Sequence, residues 1–202
     1  MKPRTKKYLY VVIVLFLLGF LYALKNTSYF VRAADFIAAF VAFFVIDTIF
    51  KLRFRNRHYI VFIFIATTGI LFSPLYYIYP NYDKILHLVG PFLICILIFY
   101  LINRIQGIGL PLKLFLTVSI VVSLLAFWEL FEFFLDKVYN MQMQGVFVRD
   151  VTGMEKYNMI MDRNDDTMID MLMGTMGSVV FAAGQTAGHF LKKLKNKIKN
   201  KS

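Results

Sequence analysis

The sequence predicts an all-α fold: a polytopic membrane helix bundle of about six transmembrane helices, with the N and C termini cytoplasmic. Three observations carry that expectation. The chain has 202 residues, 59% of them hydrophobic, and a mean hydropathy of +0.63. Soluble domains usually hold about 45–50% apolar residues. Six apolar runs approach the roughly 20 residues that a helix needs to cross a bilayer. The net charge of +11, from 23 Lys+Arg against 12 Asp+Glu, is sorted between alternate ends of those runs. A nucleic-acid partner does not explain this basic excess, because the charges cluster between runs too long for a soluble fold. The one cysteine, Cys95, excludes a disulfide scaffold within the monomer.

The chain reads as a single integral-membrane domain, residues 1–202. The first span is expected over 8–24, after the basic start Lys2, Arg4, Lys6 and Lys7. No small-x-small cleavage site follows, so this stretch reads as a retained signal anchor. The second span is expected over 29–50, interrupted by Arg32, Asp35 and Asp47. Arg32 and Asp35 are three apart and Asp47 and Lys51 four apart, so each pair suits a helical ion pair. The Asn26-Thr27-Ser28 glycosylation sequon between the first two spans hugs the membrane and carries little weight. The third, fourth and fifth spans are expected over 59–79, 85–102 and 114–135. An outer loop, 136–166, leads to the sixth span, 167–191, and a basic cytoplasmic tail, 192–202.

Orientation follows from the basic residues. Sixteen of the 23 fall on the side that holds both termini, and the positive-inside rule makes that side cytoplasmic. The lysines from Lys192 to Lys201 also suit contact with an anionic inner leaflet. Of the 12 acids, only Asp47 lies near a cytoplasmic end. Acids contribute little to topology, so their outward placement asks for another cause.

Those acids come in spaced pairs. Asp83 and His87 are four apart, Glu129 and Glu132 three apart, and Asp166 and Asp170 four apart. Spacings of three and four place each pair on one helical face. At about 1.5 Å rise per residue, Asp83, Glu132 and Asp166 form an outer ring. His87, Glu129 and Asp170 form a second ring one turn deeper. Asp136 shares the face of Glu129 and Glu132. Pro91 has no N–H, which frees the carbonyl of His87 from its helix partner, and Gly90-Pro91 permits a bend. Gly174, Gly177, Gly184 and Gly188 on the sixth span suit close helix approach or plain packing.

Ionisable groups inside spans are costly and usually face a protein interior or a wet cavity. One imidazole among carboxylates suits a hard or borderline cation: Mg²⁺, Mn²⁺, Ca²⁺ or Fe²⁺. The candidate metal ligands are Asp83, His87, Glu129, Glu132, Asp166 and Asp170. The candidate catalytic residues are Glu129, Glu132 and Asp170, one of which would serve as general base. Proton or ion relay, and a purely structural network of hydrogen-bonded acids, remain alternatives. A zinc site of three histidines is excluded by topology, since His58 and His189 lie near the cytoplasmic ends. Arg32 is a candidate anion contact, for example for a lipid phosphate. The long outer loop joins two site-bearing spans and suits a lid.

Three segments carry a family resemblance. Tyr82-Asp83-Lys84-Ile85-Leu86-His87, Trp128-Glu129-Leu130-Phe131-Glu132 and Asp166-Thr167-Met168-Ile169-Asp170-Met171 followed by Gly177 resemble the YjdF-like family of bacterial inner-membrane proteins (domain of unknown function 2238, DUF2238). A looser similarity to the VanZ-like group accompanies it. The resemblance covers about residues 82–178 and implies a small multi-pass protein without a settled activity. One departure is the segment Met161-Asp162-Arg163-Asn164-Asp165, where the family often carries a compact glycine-rich stretch.

The functional expectation is a metal-dependent enzyme of the bacterial cytoplasmic (inner) membrane, acting on a lipid or lipid-linked substrate at the outer leaflet. Membrane lipids are its expected partners. The alternatives are an ion- or proton-coupled transporter, and a non-catalytic membrane assembly subunit.

Overall fold

A computed structural model describes residues 16–23, 25, 29–139, 143–149 and 157–199. Residues 8–15 of the first expected span, the Asn26 sequon and residues 150–156 of the outer loop lie outside them. The described chain is overwhelmingly helical and divides into two units, Met1–Ser73 and Pro74–Ser202.

In the first unit, α1 is described over residues 16–23 and α2 is Phe30–Ile49. α3, Asn56–Ala66, packs against α2. Phe43 organises this contact: its ring stacks on Phe54 at 5.1 Å and on Phe62 at 4.2 Å, with Tyr59 edge-on at 5.2 Å. Offset and edge-to-face arrangements suit the ring quadrupoles and add about 0.5–1.5 kcal/mol per pair. Neither expected helical ion pair forms. Arg32 lies over the ring of Tyr29 at 5.6 Å rather than on Asp35. Asp47 accepts hydrogen bonds from the Phe54 N–H and the Tyr59 hydroxyl rather than pairing with Lys51.

The span expected over 59–79 is not one α-helix. α3 passes at Thr67–Leu71 into a π-helical turn, and Ser73–Tyr77 forms a 3₁₀ turn. The cause is local chemistry. The Thr68 hydroxyl donates back to the carbonyls of Phe64 and Ile65, at 2.9 and 3.1 Å, competing with the ladder. Pro74 then ends it, having no N–H to give.

The second unit is built on three long helices: α4, Tyr82–Ile102; α5, Leu110–Tyr139; and α6, Arg163–Lys199. α4 packs on both of the others, and α5 on α6. Each is long and apolar enough to cross a membrane. α4 begins ahead of the expected boundary, which brings Asp83 inside the helix, and it runs on through Pro91. α6 continues to Lys199, so most of the basic tail is helical. The core gathers Cys95, Leu114, Val121 and Phe181, with Phe181 edge-on to Phe92 and Phe99.

The segment expected as a loop between α5 and α6 contains an antiparallel hairpin, β1 (Val146–Arg149) and β2 (Tyr157–Met161). Gly145 enters it at φ +94°, a backbone state that suits glycine. At the end of the bundle that carries the acids, the unit is polar inside and apolar outside. On α5, Glu129, Glu132 and Asp136 are buried, whereas Phe127, Leu130, Phe131 and Phe134 are exposed. That inversion suits a lipid solvent, which leaves apolar side chains at no disadvantage outside.

Candidate functional site

The three paired motifs meet at one end of the α4–α5–α6 bundle. Two glycines on α6 set the approach. A Cβ at Gly177 would collide with the Leu88 carbonyl on α4, and one at Gly174 with the Leu125 side chain on α5. Gly184 and Gly188, expected to serve the same purpose, face open space. Close approach at Gly174 and Gly177 carries Asp166 and Asp170 toward α4.

Lys84 sits at the centre of the acids. Its ammonium donates to Asp83 Oδ2 at 3.2 Å, to Asp170 Oδ1 at 2.8 Å and to Asp166 Oδ1. An ammonium has three N–H donors, and here each meets a different carboxylate. Asp166 also accepts from the Gly145 N–H at 2.7 Å, through its other oxygen. Thus Asp166 joins the hairpin entrance to Lys84.

His87 lies one turn along α4. Its Nε2 faces Asp83 Oδ1 at 3.5 Å and Asp170 Oδ2 at 4.0 Å. Its Nδ1 faces Glu129 Oε1 at 3.8 Å, on the opposite edge of the ring. One ligand atom from each of Asp83, His87 and Asp170 lies within 4.8 Å of the others. Metal bonds of about 2.0–2.6 Å require ligand atoms about this far apart or nearer. These three residues could therefore hold a metal ion. Asp166, among the six expected ligands, is instead engaged by Lys84 and Gly145. Glu129 stands behind the imidazole, and Glu132 is buried one turn further along α5.

Two features leave the site unsaturated. The buried Nδ1 of His87 and both oxygens of Glu129 make no hydrogen bond. Such groups are rare and expensive in protein interiors. Charge is also unbalanced: one ammonium faces Asp83, Asp166 and Asp170, with Glu129 and Glu132 beside them. A buried surplus of carboxylates is met by a bound cation or by protons.

Asp136 has a different task. It accepts from the backbone N–H groups of Met143 at 2.8 Å and Gln144 at 3.1 Å, and the Gln144 amide donates to Thr167 at 2.9 Å. Asp136 on α5 and Asp166 on α6 thus pin the hairpin's entrance over the site.

Lys84 was not among the residues singled out from the sequence, although a signal existed. It adjoins Asp83 and precedes His87 by three, the spacing that selected the acid pairs. Arg32 belongs to the other unit and is described above.

These features define a class: a helical membrane protein with ionisable side chains gathered in a buried cluster among three helices long and apolar enough to cross a membrane. The chain belongs to the family described as predicted membrane protein, DUF2238, which it matches over residues 6–189. The YjdF-like resemblance is to this same family. No curated protein and no solved structure matches the chain.

Proposed function

We propose that the protein binds a divalent cation through Asp83, His87 and Asp170 and uses it in an enzyme reaction on a lipid or lipid-linked substrate. The convergence of these three residues beside an unpaired Glu129 is the observation that carries this reading. Nδ1–H of His87 would donate to Glu129, leaving the Nε2 lone pair for the ion. Carboxylates commonly orient metal-binding histidines in this way. A divalent ion in such a site activates water and polarises a phosphoryl or carbonyl oxygen. Glu129, or Glu132 beyond it, would take up a proton. The donor set suits Mg²⁺, Mn²⁺, Ca²⁺ or Fe²⁺.

In the same reading the chain is a multi-pass protein of the bacterial inner membrane. It has six spans, cytoplasmic termini and the site on the outer side. The test is metal content and a titration of purified protein with Mn²⁺ and Mg²⁺. One ion should bind per chain, and His87→Ala and Asp170→Asn should abolish binding. A wild-type protein that takes up no divalent ion overturns the proposal.

The three ion pairs of Lys84 favour a second reading, in which the cluster locks helices of a non-catalytic assembly subunit. That reading expects stability to fall on Asp170→Ala with no dependence on metal. An ion- or proton-coupled transporter would instead show solute flux in proteoliposomes that Glu129→Gln removes.

A further inference from the structure

The two carboxylates that face the His87 imidazole each divide their oxygens between two partners. Asp83 turns Oδ1 to His87 Nε2 at 3.5 Å and gives Oδ2 to the Lys84 ammonium at 3.2 Å. Asp170 turns Oδ2 to the same Nε2 at 4.0 Å and gives Oδ1 to the same ammonium at 2.8 Å. The remaining N–H of Lys84 goes to Asp166, whose other oxygen accepts from the Gly145 N–H at 2.7 Å. The ammonium is therefore anchored on a residue outside the three candidate ligands. The side chains of Lys84, Asp166 and Asp170 are 11%, 4% and 2% exposed, so water competes little for these bonds.

This division limits how an ion can be held. A carboxylate that binds a metal edge-on uses both oxygens. Here edge-on binding would pull Asp83 Oδ2 and Asp170 Oδ1 off Lys84, breaking charge-assisted hydrogen bonds that are roughly twice as strong as neutral ones. It would also draw a divalent ion toward the ammonium, against like-charge repulsion. Each carboxylate then offers one oxygen, and the donor atoms are Asp83 Oδ1, Asp170 Oδ2 and His87 Nε2. Ca²⁺ takes about 6–8 oxygen ligands, often from bidentate carboxylates, so two oxygens and a nitrogen serve it poorly. Imidazole beside two single carboxylate oxygens suits a first-row transition ion such as Mn²⁺ or Fe²⁺, with open positions for water or a substrate oxygen.

We propose that Lys84 is a positioning residue of the metal site and sets its selectivity. By holding one oxygen of Asp83 and one of Asp170, it confines both to single-oxygen binding and so selects Mn²⁺ or Fe²⁺ over Ca²⁺. The inference rests on the metal reading above and narrows it. Hydrogen bonds to ligating carboxylates are usual at metal centres, and losing them costs about 10–100-fold in affinity.

The experiment compares Mn²⁺ and Ca²⁺ binding by calorimetric titration of the full chain in micelles, in wild type and in Lys84→Met. The wild type should bind Mn²⁺ at least about tenfold more tightly than Ca²⁺, and Lys84→Met should reduce that ratio about tenfold. The ratio separates positioning from structure, because lost charge or a loosened fold acts on both divalent ions alike. A ratio unchanged in the variant overturns the proposal, as does a wild type that binds the two ions equally. A second arm needs no variant: infrared difference spectra of wild-type protein carrying ¹³C-labelled aspartate, with and without Mn²⁺. The splitting of the carboxylate stretches should mark single-oxygen ligation. A bidentate signature overturns the proposal whether or not Lys84→Met folds. A wild type that binds neither ion overturns the metal reading itself and this inference with it.

Discussion

Lys84 decides how the acid cluster behaves. Its ammonium touches Asp83, Asp166 and Asp170, so removing it leaves carboxylates facing one another in a poorly solvated site. Breaking one partner of a buried ion pair typically costs about 3–5 kcal/mol. Lys84→Met should lower stability by about that amount in a denaturation series in micelles. Adding Asp170→Asn should recover part of the loss, because the mutations share one interaction. Glu129 makes a separate prediction, tied to the proposed ion. Glu129→Gln should weaken Mn²⁺ binding about 10–100-fold while leaving the unfolding midpoint of the metal-free protein nearly unchanged. Spacing alone brought out Asp83, His87, Glu129 and Asp170, because helical faces are fixed by geometry. It did not bring out Lys84, since a basic residue near a span end also serves as a topology signal.

Helix contacts assign different weights to similar glycines. A methyl at Gly177 meets the Leu88 backbone carbonyl, which cannot move without shifting α4. A methyl at Gly174 meets the tip of Leu125, a side chain that can rotate. Gly177→Ala should therefore destabilise by about 1–3 kcal/mol, more than Gly174→Ala. Gly184→Ala and Gly188→Ala should be near neutral, all read from thermal unfolding in detergent. The sequence offered all four glycines alike, because spacing does not say which face of a helix has a neighbour. The hairpin offers a second measurement at this scale. Asp136→Ala removes the acceptor for Met143 and Gln144, so limited proteolysis should cut within residues 143–161 about tenfold faster. The hairpin was not legible because its strands, Val146–Arg149 and Tyr157–Met161, are too short to show a period and follow a Met-, Gln- and Gly-containing run that resembles a plain loop. The break after Ala66 was not legible because hydropathy runs on smoothly through Thr67 and Thr68. Only hydroxyl back-bonding and Pro74 mark it.

For the molecule as a whole, composition sufficed to name the solvent. Exposed phenylalanines on α5 around buried glutamates are what a lipid medium selects. The expected six-span arrangement makes a direct prediction: reporters fused to the two termini should give the same cytoplasmic signal. A reporter inserted after Met143 should give the opposite one.

α6 adds a constraint of length. Its 37 residues extend about 55 Å at 1.5 Å per residue, well beyond a hydrocarbon core of about 30 Å. From Asp170 to Lys192 the helix rises about 33 Å. The acids and the first of the exposed lysines are therefore separated by about one hydrocarbon thickness, like two floats on a rigid rod. In the six-span reading, a bilayer thicker than this rod must thin around it or let the lysines snorkel, at a fraction of a kcal/mol per ångström. The protein would then respond to acyl-chain length itself, working best in membranes whose thickness matches the rod.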